Sequence, residues 1–233
     1  MAEFDFGRFK VLTFDCYGTL IDWESGIARA LRTALGGPAR ALDDEGLLAA
    51  FARHEAAVES GPYLPYREVL ARTARAVASE LDDTVADDAA KAFGDSVGDW
   101  PAFSDSTDAL RVLHERFRLG VITNCDDDLF ARSNKRLDLD FDWVITAQQV
   151  GSYKPNPRSF EVAFERIGVP RERILHVAQS LYHDHVPARR LGLSTAWINR
   201  RHDRSGPGAT PPAEATPDFE APDMATFSAA ATR

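Results

Sequence analysis

The 233-residue chain has only two cysteines, no long apolar run and no surplus of positive charge. Each shortage excludes something. Two thiols, Cys16 and Cys125, cannot build a disulfide framework and fit a reducing compartment. Neither has metal-ligand spacing, so each reads as a small buried hydrophobe. Without some twenty consecutive apolar residues there is no membrane span, and without a charged-then-apolar leader the expected location is the cytoplasm. A formal net charge of -9 excludes nucleic acid as a partner, because its phosphates need clustered Lys and Arg. Any anionic ligand must be captured locally. The 44% hydrophobic composition is enough for one full core with room for an insertion.

Strand-like runs are also missing between Leu20 and Pro101, where Ala, Leu, Arg and Glu dominate. Ile27, Leu31 and Leu35 mark one amphipathic helix there, and "LLAAFARHEAAVES" and "YREVLARTARAVASEL" predict two more. On either side the texture differs. "KVLTF" reads as a first strand, and from residue 102 onward apolar strands alternate with helices such as "STDALRVLHERF" and "PRSFEVAFERIG". This pattern predicts an α/β fold: a doubly wound parallel sheet with an all-helical cap inserted after the first strand. The expected domains are a core of residues 1–19 and 102–200, a cap of 20–101, and a Pro/Ala-rich tail of 201–233 partly docked on the core. No internal repeat is present.

Ligands of such sheets bind outside the carboxyl ends of the strands. Four polar groups fall at that edge. Asp15 ends the first strand, Thr123 and Asn124 end "GVITN", Lys154 lies in "GSYKPNP", and Asp184 follows "RILHVA". The ordered set "DCYGTL", "TN", "YKP" and "VAQSLYHD" resembles the haloacid dehalogenase superfamily over roughly residues 9 to 200. The resemblance implies Asp15 as nucleophile, Thr19 and Thr123 as the hydroxyl positions, Asn124 as their neighbouring amide, Lys154 as the neutralising lysine and Asp184 as the second acid.

One position separates branches of that superfamily. Its phosphatases place an acid two residues after the nucleophile, which protonates the leaving oxygen and helps hold magnesium. Here the residue is Tyr17, and a phenol with an ordinary pKa near 10 is a poor proton donor at neutral pH. The usual phosphatase Gly-Asp pair of the last motif is read as Ala178 and Gln179, which reduces the charge available to a hard dication. Both departures resemble the L-2-haloacid dehalogenase branch. That branch implies no metal and no cofactor, a short 2-haloacid as substrate, and an aspartyl ester on Asp15 that water hydrolyses to 2-hydroxy acid and halide. A halide leaves as a stable anion and needs no proton. The alternatives are a magnesium-dependent small-molecule phosphatase and a catalytically silent binding protein of the same fold.

The branch also implies a cap arginine that meets substrate and halide. Arg53 is the first candidate and Arg67 the second. Tyr17, Gln179 and Ser180 complete the expected substrate contacts. Phe160 stands where the branch carries a tyrosine six residues after the lysine. His176, His183 and His185 read as structural or hydrogen-bonding groups, because they form no ligand set. Trp23, Tyr63 and Tyr66 read as packing groups at the domain seam. Asp126, Asp127 and Asp128 read as favourable charge at a helix N-terminus. The expected partner is a small molecule, with no nucleic acid or membrane; a homodimer is compatible with this reading.

Overall fold

The computed structural model describes residues 4–37, 39 and 42–233. Six strands, β1 Val11–Phe14, β2 Arg118–Thr123, β3 Trp143–Thr146, β4 Ile174–Ala178, β5 Ser194–Ile198 and β6 Phe219–Ala221, form one sheet. Their order is β3-β2-β1-β4-β5-β6, and every neighbouring pair is parallel. The side chains of β1 and β2 alternate between two cores. Leu12, Phe14, Leu119 and Val121 face one, with helices α5 Ser106–His114, α6 Asp127–Leu137 and α10 Met224–Ala231. Val11 and Ile122 face the other, with α8 Arg158–Ile167 and α9 Val186–Arg190. Burial on both faces is why these strands read as continuous apolar runs. Strand order reverses at β1, which opens a crevice at its carboxyl end.

The cap contains α1 Trp23–Leu35, α2 Asp44–Glu59, α3 Tyr66–Glu80 and α4 Asp87–Asp95, followed by a 3-10 turn Ser96–Asp99. Among the described residues no strand lies within 22–101, in accord with the all-helical expectation. Helix α1 begins where the Asp22 carboxylate accepts the Ser25 N–H at 3.2 Å, satisfying one of the free amides of the first turn. Ile27, Leu31 and Leu35 follow on its buried face. At the stem, Ile21 and Ala102 form an antiparallel bridge that closes the insertion.

A second tie comes from the core. Asp126 is buried and accepts the backbone N–H groups of Tyr66 and Arg67 at 2.8 and 3.1 Å, so a core carboxylate caps the N-terminus of α3. The Arg67 guanidinium adds ion pairs to Asp126, Asp128 and Asp95. The acidic triplet was expected to serve its own helix. Asp127 and Asp128 do lie in the first turn of α6, whereas Asp126 turns its carboxylate to α3 in the cap and makes no cap bond to α6.

The Pro/Ala-rich stretch ends in more structure than a docked tail. Strand β6 extends the sheet beside β5, and α10 buries Met224 and Phe227 completely. Phe219 meets Phe6 and Phe227 edge to face at 5.0 and 6.1 Å. A three-residue strand after a Pro-rich run leaves too short an alternation to read as one.

Helices α3 and α4 touch at Gly94, where an added Cβ would run into the Arg67 carbonyl. Overpacking against backbone costs about 1–3 kcal/mol, so Gly94→Ala is expected to lower the Tm by several degrees. An unchanged Tm in a thermal melt would show that these helices do not meet there.

Candidate active site

Lys154 organises the carboxyl end of the sheet. Its side chain is 1% exposed, and its ammonium donates to Asp15 Oδ1 at 2.8 Å, to Asp184 Oδ1 at 2.7 Å and to the Ile122 carbonyl at 2.8 Å. All three N–H donors of a lysine are then used. Burial lowers the Lys154 pKa, but the two carboxylates outweigh it and hold the ammonium above its ordinary value. Burial likewise raises Asp184, and Lys154 with His176 reverses this, holding that carboxyl well below the usual range. Asp15 goes the other way: burial raises it, Lys154 offsets part of the rise, and the Asp184 charge adds to it. The two acids titrate as a pair around one shared cation.

Each member is positioned by a neighbour. Thr19 donates to Asp15 Oδ2 at 2.7 Å and accepts the Gln179 N–H at 2.9 Å, joining the loops after β1 and β4. The β1 loop turns through Gly18 at φ +93°, where a side chain would also collide with Trp23. Asn124 exchanges two hydrogen bonds with the Lys154 backbone, at 2.9 and 2.8 Å. Asp184 sits on a single π-helical turn, Leu181–His185, a rare element found frequently at functional sites. His176 Nε2 donates to Asp184 Oδ1 at 2.9 Å, and Thr13 Oγ1 lies 3.0 Å from His176 Nδ1. Phe160 packs edge to face on that imidazole at 5.0 Å, so the residue replacing a tyrosine supports Asp184 through His176.

The structure brings Asp15, Tyr17, Asn124, Lys154, Ser180 and Asp184 to one cavity, together with Trp23, Glu55, Glu59, Tyr66 and His183. Trp23 and Tyr66 therefore face the site as well as packing at the seam. The Tyr17 hydroxyl is turned to Ser133 at 3.0 Å and Cys125 at 3.3 Å, and burial raises it well above an ordinary phenol. It cannot replace a general acid. Ser180 caps the π turn by accepting the His183 N–H at 3.0 Å. Thr19 stands behind Asp15. Thr123 is buried with its hydroxyl unpartnered, and neither it nor Gln179 lines the cavity.

Arg53 requires correction. It is 59% exposed and pairs with Glu80 at 2.6 Å, away from the cavity. Helical positions i and i+2 are about 200° apart, so Glu55 occupies the inward face that Arg53 cannot reach, and Glu59 lies one turn further on the same face. Neither glutamate was singled out from the sequence, whereas the hydrogen-bonding role expected of His176 is met at Asp184 and Thr13. The i,i+4 spacing of the two acids on an amphipathic helix was the available signal.

Residues 9–184 match the sequence model described as haloacid dehalogenase-like hydrolase. The chain is 26% identical over 195 residues to an (S)-2-haloacid dehalogenase of Pseudomonas putida, covering 82% of this chain and 85% of that one. It is 25% identical over 227 residues to haloacetate dehalogenase H-2 of Moraxella sp. (strain B), covering 93% and 95%. The L-2-haloacid dehalogenase structure from Xanthobacter autotrophicus superposes with a TM-score of 0.76 at 19% identity, covering 95% and 97%. The chain belongs to the haloacid dehalogenase-like hydrolases. Within that family its likeness is to the L-2-haloacid dehalogenase branch.

Other members of the family hold magnesium, and the residues here do not fit it. The facing oxygens of Asp15 and Asp184 are joined by the Lys154 ammonium, so a dication between them would meet a positive charge. Tyr17 adds no carboxylate, and Gln179 does not line the cavity. Among the described residues no group of three or more His, Cys, Asp or Glu gathers to hold a metal ion. A site demanding near-octahedral oxygen donors is therefore not built.

Burial pushes the Glu55 carboxyl from 4.5 up to about 7, with the Tyr66 hydroxyl, donating at 2.6 Å, pulling the other way. Between those values the folded chain keeps a proton that the unfolded chain has released. Stability is therefore lost as pH rises through this window, and the cost, on the order of 3 kcal/mol, is fully present above pH 7. Glu55→Gln keeps the acceptor for Tyr66 and removes the charge. Its Tm is expected to gain on the unsubstituted protein at pH 8 relative to pH 5; an equal difference at both would contradict the buried ionisation.

Proposed function

We propose that the chain is a hydrolytic dehalogenase that uses Asp15 as nucleophile and no metal, acting on short 2-haloacids to give 2-hydroxy acid and halide. The observation that carries this reading is the Lys154 ammonium shared between Asp15 and Asp184, beside a tyrosine that cannot donate a proton. An Asp15 oxygen attacks the carbon from the side opposite the halogen. A C–O ester bond forms, and the halide departs with the bonding electrons. No proton is required, which suits a site without a general acid. Water then adds to the ester carbonyl of Asp15 and gives one proton through Asp184 to solvent; the bond from that carbonyl carbon to the ester oxygen breaks, the hydroxy acid leaves with the other proton, and Asp15 is again a carboxylate.

Asp184 suits the second step. Its Oδ1 is held by Lys154 and His176, whereas its Oδ2 is buried without a partner in a residue that lines the cavity, and can accept a hydrogen bond from the attacking water. Thr19 and Asn124 act as positioning residues. The inner cavity is about 20 Å³, room for about one water. An outer cleft of about 350 Å³ shares Glu59 and Lys154 with it, so substrate enters past these residues as the cap shifts. No described helix is long and apolar enough to cross a membrane. Both thiols are buried and free, which supports the cytoplasm as the working compartment.

Halide release from chloroacetate and 2-chloropropionate is expected to persist in excess chelator. Asp15→Asn should reduce it at least about a thousand-fold with the circular dichroism spectrum unchanged. Because burial raises Asp15, the acid limb of kcat/KM should fall above the ordinary carboxylate range. Activity that appears only with added magnesium, on phosphate esters, would overturn the proposal.

A further inference from the structure

The side of the cavity that faces the core and the side that faces the cap have different chemistry. Among the described residues that line it are four carboxyl groups, Asp15, Asp184, Glu55 and Glu59, and one cation, Lys154. That cation is saturated, since its three donors go to Asp15, Asp184 and the Ile122 carbonyl. His183 supplies no charge at neutral pH, because burial pulls its ring down to about 4. No lining group is therefore free to neutralise a substrate carboxylate. The place of a cap cation is taken by two acids on the inward face of α2.

These acids are short of partners. Glu55 is 3% exposed; its Oε1 accepts from Tyr66, and among the described residues its other oxygen has no hydrogen bond. Glu59 is half-buried at the passage between the inner cavity and the outer cleft, with no hydrogen bond or ion pair among the described residues. Trp23, Tyr17 and Tyr66 add aromatic walls. Carboxylates beside aromatic rings in a desolvated cavity form an environment that recognises an organic ammonium group.

We propose that the cap side of this cavity is a cation site, and that the substrate hydrolysed at Asp15 carries a protonated amine, away from the reacting carbon, held by Glu55 and Glu59. The inference rests on the dehalogenase reading for the carbon–halogen step and narrows its substrate class to ammonium-bearing organohalides, amino-substituted 2-haloacids among them. Burial raises both glutamates, and a seated ammonium offsets this by favouring their ionised forms.

Two measurements test it separately. In the unsubstituted full chain, calorimetric titration compares ethanolamine with glycolate, neither of which has a halogen to displace and which differ in bearing an ammonium or a carboxylate. Ethanolamine should bind about ten-fold or more tightly than glycolate, and adding Glu59→Gln or Glu55→Gln should weaken ethanolamine about ten-fold and leave glycolate no weaker. Glycolate binding more tightly, or ethanolamine binding indifferent to both substitutions, overturns the cation site. In the unsubstituted protein, halide release should favour 3-amino-2-bromopropionate over 2-bromopropionate by about ten-fold or more in kcat/KM. A preference for 2-bromopropionate together with tighter glycolate binding would overturn the inference and leave the dehalogenase reading standing. Glutamate-dependent ethanolamine binding with no halide released from either compound would support the cation site and remove the dehalogenase reading.

Discussion

The structure depends on one buried ammonium. Lys154 lies between an acid that follows β1 and one that follows β4, at 2.8 and 2.7 Å, and closes its last donor on the carbonyl of Ile122. Taking such charges out of water costs several kcal/mol per ion, and the cost is offset only where geometry is close and every donor is used. That requirement accounts for the surroundings. Asn124 holds the Lys154 backbone from the end of β2, Thr19 holds Asp15 from its own loop, and His176 holds Asp184 from within β4. Four parallel strand ends are thus joined through side chains, and a shift of any one would leave a buried charge unpaired.

Chemistry and recognition come from different layers. The sheet supplies the nucleophile, its counter-charge and the second acid. The helical layer contributes the wall that the non-reacting end of a substrate meets, and it is fixed to the core by Asp126 and by the Tyr153 hydroxyl, which donates to the Leu64 carbonyl at 2.7 Å. Tyr153 adjoins Lys154, so the residue that closes the seam neighbours the residue that charges the site. The cap can change its wall without disturbing Lys154, and this separation allows one covalent mechanism to serve substrates of different charge.

The core was legible in the sequence because its signals are local. Apolar strands that run into Asp15, end at Thr123 or lead by a short loop to Asp184, separated by helices of clear period, converge on one sheet edge, and the loss of an acid at Tyr17 is visible without coordinates. The cap wall was not legible for a geometric reason: on a helix, a displacement of two residues reverses the face. Arg53 suited the expected chemistry by residue type, yet its azimuth carries it to Glu80 and leaves the cavity to Glu55 and Glu59. Asp126 failed for a related reason. Its partner amides at Tyr66 and Arg67 are sixty residues away in sequence and become neighbours only when the cap closes. Strand β6 was hidden by its length, since three residues do not establish an alternation.

The central claim is that Asp15 becomes covalently bonded to the substrate, and its most direct test follows an oxygen atom. A single turnover in ¹⁸O-labelled water, with enzyme in excess over a 2-haloacid, should leave the label in the Asp15 carboxylate, because water attacks the ester carbonyl and the product takes its oxygen from the enzyme. Mass spectrometry of the peptide containing Asp15 reads this directly. Label found in the first-turnover hydroxy acid and absent from Asp15 would mean that the carboxylate only activates water, and would contradict the account.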